Sequence, residues 1–425
     1  MGTFQKLLDD QIERLPRAIL TQLVEEKLEK VGRSDAALVE KITNHILNGE
    51  EHFEWPDDGP DVTLEFGDED FAKLEELSER FTANLPDLIQ NSAESIGKSV
   101  ADECKRTWQD HRLKVEDELV GFRQRLRQRW SEGLDGLGIL LQMAREQCEE
   151  FDARIAKSKI KRGSLRNEAL SRLHMRACQV TAEIVCLLEN GFADAAMSRW
   201  RTLYEISTVA TLIADGGDEL ADRYLAHEIV ERKKSADEFQ RCAPALGERR
   251  IGQADYDAIK KEYAVALRKY GQPFRESYGW AAGFFGCAKP NFRDLQAAAD
   301  RADMHIYYKL SSHGIHAGPS GLTTRVGLLY EMQFAGATNA GLEMPGANAA
   351  YCIVRMMGLL RSEPWELDDL AMMRATISLR DETCRAFERA AAKLERDEAR
   401  ERQRVGRLAE RQFASRQKRR PIRQH

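Results

Sequence analysis

Proline is scarce in this chain of 425 residues, which holds 11 of them. So little of the residue that breaks helices favours long uninterrupted ones. Long apolar runs are also missing. None approaches the roughly twenty residues needed to cross a bilayer, so no membrane role is expected. The eight cysteines, at 104, 148, 178, 186, 242, 287, 352 and 384, form no CxxC. Cys178 and Cys186 fall inside an apolar helical run. This predicts reduced, buried thiols, with neither a disulfide framework nor a cysteine zinc site. The N-terminal "MGTFQKLLDDQIERLPRAIL" lacks the basic-then-apolar order of a secretion signal. No Ser or Thr stands where myristoylation after an MG start needs one. These absences predict a cytoplasmic protein. Catalytic signatures are missing as well: there is no GxxxxGK[ST], GxSxG or HExxH, and no GxGxxG after a strand. P-loop hydrolysis and Rossmann hydride transfer are therefore unsupported, and no cofactor is expected.

What is present is charge and helical periodicity. Charged residues make up 32% and apolar residues 42%, with a net charge of −6. From Arg400 to His425, ten Lys or Arg stand against two Asp or Glu. That local +8 leaves −14 on the rest, an acidic body with a basic end.

Along the chain, residues 1–53 predict helices, and "EWPDDGPD" (54–61) predicts a loop. "VTLEF" (62–66) alternates as a short strand would, so 54–69 is taken as a loop with one short strand. Helical pattern then runs almost unbroken from 70 to 160, and within it "DECKRTWQDHRLKVEDELVGFRQRLRQRW" (102–130) is charged at nearly every second or third position. Such a stretch predicts a charged helical arm facing solvent or seeking one partner, and with it a homo-oligomer, most simply a dimer. Residues 163–395 predict a helical-bundle domain. Two apolar helices meet at "ENGF", where Gly191 ends the first, and a further amphipathic helix follows "LIADGG". Within the bundle, 271–346 is a glycine- and proline-rich stretch between short helical pieces. Residues 396–425 are the basic tail, where sequence-independent contact with RNA or DNA competes with simple solvation. The fold class is all-α.

Some polar residues sit badly in apolar surroundings. Arg201 and Glu205 are four apart on a helix flanked by Trp200, Leu203, Ile206 and Val209, so they share a face and can pair. Glu183 lies inside "VTAEIVCLL". These residues form either a salt-bridge network that fixes helix register or a charged pocket. Downstream, "YKLSSHGIHAG" (307–317) places Ser311, Ser312, His313 and His316 where a short helix breaks into glycine-rich backbone, which lets a ligand approach the main chain. A metal would need a third ligand beside His313 and His316, such as His227, and none is assigned. A histidine here can act as acid, base or phosphate contact, or can simply cap a helix end.

Three segments in order, "GFADAAMSRWRTLYE", "YLAHE" and "YKLSSHGIHAGPSGL", resemble an uncharacterised bacterial family of unknown function. Its features are W-R-x-L-x-E on one helix and an L-S-containing helix ending in His. The matching positions are Trp200, Arg201, Leu203 and Glu205, then Tyr224 and His227, then Tyr307, Leu310, Ser311 and His316. The resemblance covers roughly residues 165–365 and implies no activity. A looser similarity is to the HEPN superfamily, helical bundles of toxins and phage-defence proteins. Members that cleave RNA without metal carry Arg and His separated by four to six residues. Here Lys309 is the basic residue at such a spacing before His316, and Arg301 to His305 is one residue short. Two functions follow. One is a phage-defence or toxin-like effector that cleaves RNA with Arg201, Glu205 and His316 as catalytic residues. The other is a non-catalytic scaffold or small-ligand sensor whose Arg/Glu/His cluster, with His227, Ser311, His313 and Glu183, is structural or ligand-binding.

Overall fold

A computed structural model describes residues 3–33, 35–49, 53, 63–157, 163–323, 325–327, 335–360 and 366–418. The expectation of an all-α chain holds, with no strand among the described residues. The chain divides into two compact units, 1–115 and 116–425.

In the first unit, α1 (Thr3–Lys30) and α2 (Ala36–Asn48) pack together with the start of α3 (Asp68–Lys157). Asp35 caps α2 by accepting from the Ala37 N–H, and Gly49 closes it at φ +68°. Val24, Leu28, Leu38, Val39 and Ile42 form a small core. Of the strand expected at 62–66, residues 63–66 are described and form none. Leu64 and Phe66 pack on that core instead, because a lone strand has no neighbour to complete its hydrogen bonds. The loop expected at 54–61 lies outside the described residues.

The second unit is the helical bundle, and it begins earlier than the charge pattern suggested. Residues 70–160 were expected to be arm throughout. Yet Leu126, Trp130, Leu134, Leu137, Leu141, Ala144, Cys148 and Phe151 of α3 are buried in the main core. Their spacings of three and four make one apolar face, while the charges that dominate the sequence stay on the other faces. Packed around them are α4 (Leu165–Glu189), α5 (Ala193–Ala226), α12 (Glu343–Leu359) and α13 (Leu367–Lys418). Gly191, at φ +75°, joins α4 to α5 as expected. Gly217, at φ +64° and ψ −157°, breaks α5 at the predicted "GG", in backbone territory that glycine alone occupies readily.

Between α5 and α12 come α6 (Glu228–Cys242), α7 (Gln253–Tyr270) and the short helices α8 (Ala282–Phe285), α9 (Phe292–Ala298), α10 (His305–Ser311) and α11 (Ser320–Thr323). On α13, Phe387 is fully buried with its ring centroid 6.2 Å from that of Trp130. A β-carbon added at Gly133 of α3 or Gly346 of α12 would run into this ring, so bare backbone closes on both sides of it. The last helix continues through most of the stretch expected to be a tail, to Lys418.

All eight cysteines are free, but only Cys148, Cys178, Cys352 and Cys384 are buried. Burial pushes the Cys178 thiol up to about 12 and Cys384 up to about 11, so both are protonated and unreactive. Cys186, expected to be buried, is exposed on α4. An apolar run long enough to cover more than one helix face leaves some of its members outside.

Candidate functional site

Asp194, Ser198, Arg201 and Glu205 are spaced four, three and four apart, so they line one stripe of α5. The segment from α10 through Gly314 lies against this stripe. At Gly314 the contact is close enough that a β-carbon would come 3.2 Å from Ser198 Oγ.

Arg201 is the centre of the contact. Its Nε donates to Glu205 Oε1 (3.2 Å), its Nη1 to Ser312 Oγ (2.9 Å) and its Nη2 to Tyr308 Oη (2.7 Å). The Tyr308 hydroxyl in turn donates to Glu205 Oε1 (2.7 Å), and the guanidinium carbon lies 4.3 Å from the Tyr308 ring centre. Burial, and then the Glu205 carboxylate receiving its proton, push Tyr308 far above the usual phenol range. Burial weighs against the Arg201 charge, but Tyr308 and Glu205 outweigh it and hold the guanidinium above its ordinary value. The result is a closed knot in which each guanidinium nitrogen has a side-chain acceptor.

The other expected site residues fall elsewhere. Glu183 pairs with Arg199 and Arg176 on the outer side of the α4–α5 pair, not with Arg201. His227 is buried. Its Nε2 lies 3.0 Å from Phe274 O and 2.9 Å from Glu276 O, and its ring meets Phe274 edge-on. Burial lowers its pKa, which marks a neutral histidine holding backbone. Ser311 turns its hydroxyl back to Tyr308 O (2.7 Å).

His313 and His316 line a separate cavity of about 540 Å³ beside the start of α5, with Asp194, Arg325 and Thr338. There the Asp194 carboxylate accepts from the N–H groups of Val326 (2.7 Å) and Gly327 (3.3 Å) and pairs with Arg325 (3.4 Å). His313 Nδ1 is buried without a partner, while His316 is exposed. His316 is tied to the knot through its backbone N–H, which donates to Ser312 O (3.0 Å). The expected convergence of the His316 side chain with Arg201 and Glu205 has no hydrogen bond or ion pair behind it. Among the described residues, no group of three or more His, Cys, Asp or Glu could hold a metal ion.

Residues 167–331 match the model of DUF5677, a family of unknown function. The match contains both the α5 stripe and the α10 segment, so the knot lies wholly inside the DUF5677 region. It starts where the resemblance in the sequence starts and stops short of α12. No curated protein and no solved structure matches the chain, and the HEPN resemblance gains no support.

One residue central to the site and one beside it are not evident from the sequence. Tyr308 stands within the quoted "YKLSSHG" stretch, but its role depends on contact with a residue 107 positions away. Tyr204, whose ring stacks on Trp200, donates to Arg301 O (2.6 Å) and accepts from Gln296 Nε2 (2.9 Å). It belongs to a second polar cluster on another face of α5.

Proposed function

We propose that this chain is a non-catalytic helical module that binds a small polar ligand, and that Arg201, Glu205, Tyr308 and Ser312 form the lock that holds α10 against α5. One observation carries the reading. An arginine that stabilises charge on a scissile phosphate must bring unmatched charge to substrate, whereas Arg201 is paired with the Glu205 carboxylate and spends one donor from each guanidinium nitrogen within the protein. The eight free cysteines accord with a cytoplasmic location. No helix among the described residues is long and apolar enough to cross a membrane. Exposed Leu88, Ile89, Val100, Trp108 and Leu113 on α3 support self-association through that stretch.

The test is incubation of the purified protein with total RNA and DNA, beside a His316→Ala variant and a chain ending at residue 399. No cleavage is expected from any of the three. Loss of basic residues beyond 399 weakens retention of nucleic acid at low salt if the tail contacts phosphate. Cleavage by the wild type that disappears in His316→Ala would restore the effector reading. Light scattering on the full chain and on residues 116–425 tests self-association, which requires the shorter chain to fall to a smaller species.

A further inference from the structure

Arg301 is only 5% exposed and Arg355 is half-buried, yet neither forms an ion pair among the described residues. Arg301 donates from Nη1 to Ser207 Oγ (3.2 Å) and from Nη2 to Cys352 Sγ (3.6 Å), with its guanidinium 4.8 Å from the Tyr204 ring centre. Arg355 donates from Nε to Thr211 Oγ1 (3.0 Å) and from Nη2 to Ala299 O (3.1 Å). All these acceptors are neutral. Burial, and then the like charge of Arg301, hold Arg355 below its ordinary pKa, with Asp215 and Asp300 opposing more weakly. Two cations so withdrawn from water, with no directly paired carboxylate, are costly in a fold that could have supplied one.

Arg301 and Arg355 both line a cavity of about 710 Å³. Asn348 also lines it. This side chain is 8% exposed, and its Nδ2 is buried with no hydrogen-bond partner. Asn348, Cys352 and Arg355 are spaced four and three apart, so they share one stripe of α12, and Arg301 reaches that stripe at Cys352. Arg380 at the cavity wall is already paired with Asp381. Asp300 and Asp303 also border the cavity and partly offset its charge. The rest of the wall includes Met304, Tyr307, Tyr351 and Met373, which is apolar and aromatic surface.

We infer that this cavity binds a small phosphate ester, its phosphate held by Arg301, Arg355 and the free amide of Asn348, its body against the tyrosines and methionines. The inference rests on the ligand-binding reading above and names the site and ligand class. Donors arriving from separate side chains on two elements suit a tetrahedral anion with several acceptor oxygens. A cavity of this size suits an organic ligand larger than the ion alone.

The test is calorimetric titration of the full chain with adenosine monophosphate, inorganic phosphate, adenosine and benzoate. Adenosine monophosphate should bind saturably, inorganic phosphate more weakly and adenosine not at all. Asn348→Asp and Arg355→Gln should each weaken binding by roughly tenfold or more. Asn348→Asp carries a second signature, because a carboxylate there faces the unpaired guanidinium groups. It should raise the melting temperature while it lowers affinity, and so reports on the site even if Arg355→Gln folds poorly. Failure of the phosphates to bind, or a preference for benzoate, overturns the inference. Affinity that survives both substitutions places the ligand elsewhere and overturns this site, leaving the ligand-binding reading intact. Cleavage in the RNA assay overturns that reading instead.

Discussion

Two arginine clusters flank α5, and they handle the same chemical problem in opposite ways. At Arg201 the charge meets a carboxylate, a phenol and a serine, and the carboxylate matches it. At Arg301 and Arg355 the charges meet only two hydroxyls, a thiol and one backbone carbonyl beside an open cavity. A satisfied charge is a fastening, whereas an unsatisfied one is an invitation to a ligand. Conspicuous charge in an apolar helix therefore marks a site only after its partners have been counted.

The sharpest way to break this contrast is to replace each arginine by methionine, which keeps much of the volume and removes the charge. Arg201→Met should lower stability by about 2 kcal/mol, since it dissolves three hydrogen bonds and leaves Tyr308 and Glu205 to rearrange. Arg301→Met should change it by less than about 1 kcal/mol, because losing an unpaired buried charge offsets its lost bonds. Thermal or urea melts followed by circular dichroism compare the two, and equal losses would erase the distinction.

A finer cut is Tyr308→Phe, expected to cost about 1 kcal/mol. It retains the ring beneath Arg201 and deletes the hydroxyl that joins Arg201 to Glu205. A melting temperature equal to wild type would show that Ser312 and Glu205 suffice to hold α10.

The smallest effect is in pH. Burial lowers the pKa of both His174 and His227. Their neutral forms are favoured in the fold, while the unfolded chain takes up protons near pH ~6.5. The stability this confers is present above that pH and is lost as pH falls toward the depressed folded values. In the knot, Arg201 and Tyr308 are displaced upward, away from this window. Melts at pH 7.5 and 5 should therefore show the same drop in wild type and Tyr308→Phe. A larger drop in the variant would tie the knot to the histidines.

Much of the fold was legible because it is written in local signals. Scarce proline, periodic apolar residues, Gly191 after "EN" and the paired glycines at 216–217 each act within a turn or two of the chain. The pairing of Arg201 with Glu205 was legible for the same reason. The buried half of α3 was not, since dense charge on its outer faces masks the apolar face. Tyr308 and Ser312 were missed as partners of Arg201 because tertiary packing, not spacing, brings them there. The cavity at Arg301 and Arg355 was the least accessible. A sequence shows which residues are charged, but not that a carboxylate fails to arrive beside them.

The Phe387 ring, enclosed by the bare backbones of Gly133 and Gly346, has a consequence for how this sequence can change. A methyl at either glycine meets the full ring, and a smaller side chain at 387 leaves a void between three helices. Each step alone is penalised, yet the two together can fit, so the positions should drift as a set. In a double-mutant cycle, Gly346→Ala and Phe387→Leu should couple favourably, each softening the other's penalty. Coupling of this kind would hold α3, α12 and α13 in register while their outer faces change freely.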